Sequence, residues 1–335
     1  MVPTGPASAA LRVDAEGAGD DGAFRIDAQR RGGVVKWVFT LPEARGHGVA
    51  SALVDRALAW FEEQGVTDAF AIIEGHNAGS SNRFTRHGFE LLGFDAQVRR
   101  YGFGLPRIWW HTNHVADVGH FLWARSGEVP ASASAEAPPA SGAGLGAFAI
   151  GLVLHALVAL LMLARLGDLG DAGAIGRVLF GLSAVLIVRT AAQALAGRAA
   201  GLELRYRPWE TGLLLAAAIA TVFGGPMVAP GGVYPRARTW SPRALAPALA
   251  RVAFAGAGAV LLLGWAAWFA TSVPALAGVA GPVLAYACLL LLLDVLLPLF
   301  PMTAYAGRRM LEASRWGWGA LAAATVGLWV AWLAG

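Results

Sequence analysis

The sequence predicts an α/β sandwich followed by an all-α polytopic membrane domain. Composition is the first reason. The 335 residues are 56% hydrophobic and only 14% charged, where soluble domains run nearer ~25% charged. The second is that the deficit is uneven: residues 1–128 hold most of the acidic groups and an ordinary polar mix, whereas 145–335 is largely Ala, Leu, Val and Gly. The third is period. Short alternating stretches in the first part give way to apolar runs of membrane-crossing length in the second.

Taken in order, residues 9–14, 23–28 and 34–41 ("VVKWVFTL") alternate between Gly/Asp turns and predict strands. Residues 47–64 place Ala50, Leu53, Val54, Ala57, Leu58 and Phe61 at helical spacing, which gives one apolar face, and Gly65 stops the helix. "DAFAIIE" (68–74) predicts a strand, 79–87 a short helix ended by Gly88, and 89–103 a final strand pair. In 105–125, Trp109, Trp110, Phe121 and Trp123 beside Arg107 and Arg125 predict an amphipathic segment lying at headgroup level. Residues 126–144 are an Ala/Pro/Ser-rich linker.

The membrane domain, 145–335, contains apolar runs at about 145–164, 178–199, 211–225, 246–271, 276–300 and 317–334. A full span needs ~20 apolar residues, and 211–225 falls short. If all six crossed, the clusters Arg236/Arg238/Arg243 and Arg308/Arg309/Arg315 would lie outside, against the positive-inside rule. Five spans plus one re-entrant or half-span segment put them in the cytoplasm. The N-terminus lacks the basic-then-apolar pattern of a secretory signal, so the expected placement is an integral protein of the cell membrane with its first domain cytoplasmic. Every basic residue but Lys36 is an arginine, and no basic block of the kind that tracks nucleic acid is present. The single cysteine, Cys288, excludes a disulfide within the chain and a Cys-based zinc site.

"FTLPEARGHGVASAL" (39–53) joins a strand to a helix through a glycine-containing turn. Free backbone N–H groups at a helix N-terminus bind phosphate oxygens, and small residues let the backbone approach closely. The stretch resembles the pyrophosphate motif "PExRGxGxA/G" of the GNAT N-acetyltransferases. A second stretch, "NAGSSNRFTRHGF" (77–89), resembles that family's "NxxAxxLYxxxGF" helix, with Asn77, Ser80, Gly88 and Phe89 in register. The resemblance covers 9–104 and implies acetyl-CoA as co-substrate, held by Leu41, Arg45, Gly46, His47, Gly48, Val49, Ala50 and Asn77, with an amine as acceptor. No metal is called for. Where many members carry a tyrosine that protonates the leaving thiolate, this chain has Phe84, which has no proton to give. Glu74, at the end of "AIIE", is the first candidate base and Glu43 of "PEAR" the second.

One apolar run contains a charge. "VLIVRTAAQALAGR" (185–198) sets Arg189 mid-span, at a cost of roughly 2.5–3.5 kcal/mol on translocon-type scales. The region 178–310 resembles the site-two protease family of intramembrane zinc metalloproteases, whose second span carries "HExxHALxAR". Here the two His positions are Arg189 and Gln193 and the Glu position is Thr190. The family's "NxxPxxPxDG" element corresponds to "VLLPLFPMTAYAG": Pro298 and Pro301 match, while Thr303 stands at the ligand Asp and Ala304 at the Gly. These side chains cannot form that zinc site, so the resemblance implies a pseudoprotease. Asp294, the one acidic residue of its span, is the expected partner of Arg189, as a structural ion pair.

The sequence therefore predicts a membrane-tethered acetyl-CoA-dependent N-acyltransferase acting on an amine at the cytoplasmic membrane face, with a non-catalytic membrane domain. Its alternative is a pseudoenzyme that senses CoA or serves as a scaffold subunit of a membrane complex.

Overall fold

The computed structural model describes residues 11–12, 23–26, 30–38, 40–41, 44, 46–116, 118–126, 144–237, 239–297 and 305–334. The chain divides into two compact units: Met1–Ile73 with Asn77–His114 and His120–Gly142, and a second comprising Glu74–His76, Val115–Gly119 and Ala143–Gly335.

The first unit contains β1 (Leu11–Arg12), β2 (Ala23–Arg25), β3 (Arg31–Val35), β4 (Trp37–Val38), α1 (Val49–Glu63), β5 (Asp68–Glu74, whose last residue is counted with the second unit), α2 (Ala78–Arg86), β6 (Glu90–Leu91), α3 (Phe94–Tyr101), α4 (Leu105–His111) and β7 (His120–Ser126). Five strands form one sheet in the order β2-β3-β5-β7-β6, and β1 and β4 form a separate pair. β3 and β5 run parallel, with α1 as the crossover, and their ladder ends at Val35↔Ala71. Past Lys36 the chain leaves that ladder, because β4 pairs with β1 instead. The β3–β5 ladder thus stops before β5 does, and the strand that leads toward α1 is paired elsewhere.

The helix face predicted for α1 is the one that packs: Ala50, Val54, Ala57, Leu58 and Phe61 are buried. Gly65 and Gly88, both at positive φ, follow α1 and α2 as expected.

Two expectations fail in this unit. The strand pair predicted at 89–103 is only Glu90–Leu91, after which α3 takes over. Helical spacing explains the change. Gln97 and Tyr101 share a buried face, Asp95 and Arg99 pair one turn apart at 2.9 Å, and Tyr101 donates to buried Asp68 at 3.1 Å. The headgroup-level segment predicted at 105–125 is instead α4 and the inner strand β7. Trp109, Phe121 and Trp123 are buried there, and Ile108, Trp109, Leu122 and Ala124 belong to the unit's hydrophobic core. The α/β unit therefore continues past residue 104 to the end of β7. The predicted linker lies outside the described residues apart from Ser126 and Gly144, which flank it.

His114, at the end of this unit's second stretch, is fully buried against Trp109 at a ring separation of 5.3 Å. Neither ring nitrogen has a hydrogen-bond partner among the described residues. Burial, helped by His120, pushes its imidazole down to about 3. A depressed imidazole keeps its full stability contribution above the unfolded value near ~6.5 and loses it as the pH falls toward the folded value, because only the unfolded chain takes up the proton. Hydrogen exchange of α4 and β7, corrected for intrinsic rates, should show protection falling below pH ~6.5, with a slope of at most about 1.4 kcal/mol per pH unit. His114→Phe should flatten that limb.

The second unit contains α5 (Leu145–Leu166), α6 (Ala172–Ala199), β8 (Leu204–Arg207), α7 (Glu210–Phe223), β9 (Gly232–Pro235), α8 (Pro242–Thr271), α9 (Pro274–Leu291, continued by a π-helical turn, Leu292–Leu296), α10 (Gly307–Ala313) and α11 (Arg315–Ala334). Among the described residues five helices are long and apolar enough to cross a membrane: α5, α6, α8, α9 with its π turn, and α11. α7, at 14 residues, is shorter than a span. β8 and β9, on either side of α7 in the chain, pair antiparallel from Leu204↔Pro235 to Arg207↔Gly232.

α6, α8 and α9 pack on one another. At Gly181 of α6 an added Cβ would fall 2.7 Å from the Pro282 carbonyl carbon of α9. That closeness is the small-residue contact apolar helices use where burial from water gives little drive.

Candidate functional site

β4 leads into the turn Gly46-His47-Gly48 and then α1. Gly46 and Gly48 have φ of +84° and +77°, left-handed values that favour glycine. Gly48 is the N-cap of α1 and has no side chain to cap it, and the first turn holds no acidic residue. The helix therefore begins with uncompensated N–H groups and the positive end of its dipole. An added Cβ at either glycine would meet nothing within 4 Å. His47 is exposed, Val49 half-buried and Ala50 buried, so the cradle's outer rim is backbone and its inner wall is core. Leu41 is exposed, and its carbonyl accepts from Ala44 N at 3.0 Å to close the turn before the cradle. Arg45 and Glu43 lie outside the described residues. β5, the parallel neighbour of β3, leads into α2.

An open, glycine-lined, anion-favouring turn fits a pyrophosphate. Residues 19–89 match the model of the acetyltransferase (GNAT) family. The chain carries a GNAT acetyltransferase domain. No curated protein and no solved structure matches the chain.

The GNAT domain's other expected site residues are placed as follows. Asn77 caps α2, its Oδ1 accepting from Ser80 N at 3.1 Å, so its side chain is already engaged in positioning that helix. Phe84 is buried edge-on to Phe89 at 4.9 Å and belongs to the core.

Glu74 is grouped with His76 in the second unit, 3.5 Å from the His76 Nδ1. Arg309 Nη1 lies 2.9 Å from the same nitrogen. A guanidinium only donates, so Nδ1 is the acceptor. Burial, reinforced by Arg309, pushes the His76 imidazole below its ordinary value. Burial alone would raise the Glu74 carboxyl, but His76 and Arg309 outweigh it and hold it below the usual range. A carboxylate stabilised in this way is a weak proton acceptor. Sequence reasoning did not find His76 and Arg309, because 233 positions separate them and no motif links them.

The structure brings Arg189 and Asp294 together. Arg189 Nε donates to Asp294 Oδ2 at 2.8 Å and Nη2 to Oδ1 at 3.3 Å, the two-pronged geometry that suits a guanidinium. Both residues are 1% exposed. Nη1 donates to the Gly231 carbonyl at 3.3 Å, and Ala306 N donates to Asp294 Oδ1 at 3.0 Å. Asp294 stands in the π-helical turn that continues α9, and one extra residue per turn of that kind re-aims a side chain. Gln193, one turn beyond Arg189, is buried, and neither its Oε1 nor the Thr190 hydroxyl oxygen has a hydrogen-bond partner among the described residues. Pro298, Pro301, Thr303 and Ala304 lie outside the described residues. Among the described residues no three His, Cys, Asp or Glu side chains gather as a metal would require.

Proposed function

We propose that this protein is an acetyl-CoA-dependent N-acyltransferase held at a membrane by a non-catalytic helical unit. The observation that carries the reading is the Gly46–Gly48 cradle inside the region matched to the GNAT family. Acetyl-CoA supplies the thioester. The chain's own contribution is to seat the pyrophosphate on the α1 N-terminus and so fix the acetyl group beside an incoming amine, a gain in proximity. Glu43 is outside the described residues and Glu74 is held as a weakly basic anion, so the amine is expected to arrive unprotonated.

We read the helical unit as a degenerate intramembrane protease. Arg189 and Asp294 occupy the interior where the resemblance would put metal ligands, and that supports a structural role in place of hydrolysis. The test is calorimetric titration of the full-length protein with acetyl-CoA, followed by thiol release in the presence of primary amines. Saturable binding with amine-dependent release that rises with pH supports the enzyme. Binding without release supports a CoA-sensing subunit, and no binding overturns the enzyme and favours a scaffold subunit of a membrane complex.

A further inference from the structure

α4 has two unlike faces. Leu105, Ile108 and Trp109 point into the core, which accounts for half of the helix. The opposite half exposes aromatic rings beside a single cation. Phe103 is 105% exposed and Trp110 73% exposed, and Pro106 and Arg107 between them are exposed as well. Phe103 stands in the 3-10 turn Gly102–Gly104 that runs into α4, and the spacing 103, 106, 107 and 110 (i, i+3, i+4 and i+7) sets these exposed side chains on roughly one side. α3 extends it with Phe94 and Val98, 43% and 44% exposed. Exposed single hydrophobes are ordinary, but a contiguous aromatic stripe marks a surface that meets something.

The charges at the stripe indicate what that is. His111, the next residue along, has its imidazole pushed down by burial and by the cations Arg107 and Lys36. Arg107 therefore stands within the stripe, and Lys36 is near enough to the end of α4 to act on His111. Aromatic rings with basic neighbours match the chemistry of a bilayer interface, where indole and phenyl rings settle among headgroups and cations meet anionic lipids. The same chain holds five helices long and apolar enough to cross a membrane.

We propose that the outer stripe of α4, with Phe94 and Val98 of α3, lies on the surface of a bilayer bearing anionic headgroups. The inference rests on the reading that the helical unit spans that bilayer. Docking seats Phe103 and Trp110 about 5–10 Å into the headgroup region, the depth reached by interfacial helices, with Arg107 and Lys36 at phosphate level. The segment predicted from sequence to lie flat on the membrane is thus reduced to one side of one short helix.

The test uses full-length protein with Cys288 replaced by Ala, placed in nanodiscs of phosphatidylcholine with phosphatidylglycerol. Single nitroxide labels are introduced at Phe103→Cys, Trp110→Cys, Arg56→Cys on the exposed side of α1, and Leu262→Cys on the exposed side of α8. All four parent side chains are exposed, so none of these changes disturbs a core. Labels at 103 and 110 should favour collision with oxygen over a water-soluble nickel chelate, as at 262 and unlike at 56. Lys36→Glu with Arg107→Glu should shift the label at 103 toward water. If 103 and 110 behave as 56 does while 262 stays lipid-facing, the docking is wrong and the spanning helices stand. If 262 is also water-facing, both fall. Shielding of 103 and 110 from both reagents, retained in lipid-free amphipol, would mean that protein covers the stripe and would overturn the proposal.

Discussion

Gly48→Trp should abolish acetyl-CoA binding while the protein stays folded. The position has φ +77° and open space around it, so an indole meets no neighbour but projects over the N–H groups of α1. Blocking two charge-assisted hydrogen bonds, at ~1.5–3 kcal/mol each, lowers affinity by roughly 100-fold or more. The backbone itself resists a side chain at positive φ by about 1–2 kcal/mol. Gly48→Asn is therefore the companion variant, because asparagine tolerates the left-handed region. It should keep the fold and most of the binding. Calorimetry of the three proteins decides the matter. Equal affinity for wild type and Gly48→Trp would remove the cradle from the function.

Asp294→Leu should be the most damaging single change in the helical unit. It leaves the Arg189 guanidinium buried with the Gly231 carbonyl as its remaining hydrogen-bond acceptor, and breaking a buried pair from one side costs about 3–5 kcal/mol. It also strips the Ala306 N–H of its acceptor. Arg189→Leu with Asp294→Leu removes the stranded charge, and an apolar replacement for a buried pair is commonly near neutral. Recovery should still be incomplete. The Ala306 N–H and Gly231 carbonyl stay unpaired, each costing about 1–3 kcal/mol. Thermal unfolding in one detergent should rank wild type, then the double variant, then Asp294→Leu. A double variant no better than the single would show that the two residues do not act as a pair.

The parts legible in the sequence are those governed by local periodicity. The α1 face from Ala50 to Phe61, the stops at Gly65 and Gly88, and the apolar helices each follow from residues within a few turns of one another. The glycine turn was legible too, since its chemistry is contiguous. What could not be read was set at long range. β7 joins the sheet because Phe121 to Ala124 find an apolar core, while its aromatic composition taken alone equally describes a membrane-surface segment. Residues 94–101 carry enough apolar side chains to pass for a strand, and only the Asp68 hydrogen bond and the Asp95–Arg99 pair show why they coil. The Glu74, His76 and Arg309 group joins residues from opposite ends of the chain. The Arg189–Asp294 contact, 105 positions apart, was suggested only because a lone charge in an apolar helix calls for an opposite one.

The hydrogen bond from Ala306 N to Asp294 Oδ1 has a consequence for cooperativity. The same carboxylate receives Arg189 of α6, stands in the π turn that continues α9, and accepts from the N-cap residue of α10. Three helices share one acceptor, so in native-state hydrogen exchange they should open as a single unit. Asp294→Leu should split that unit, with α10 exchanging before α6 and α9.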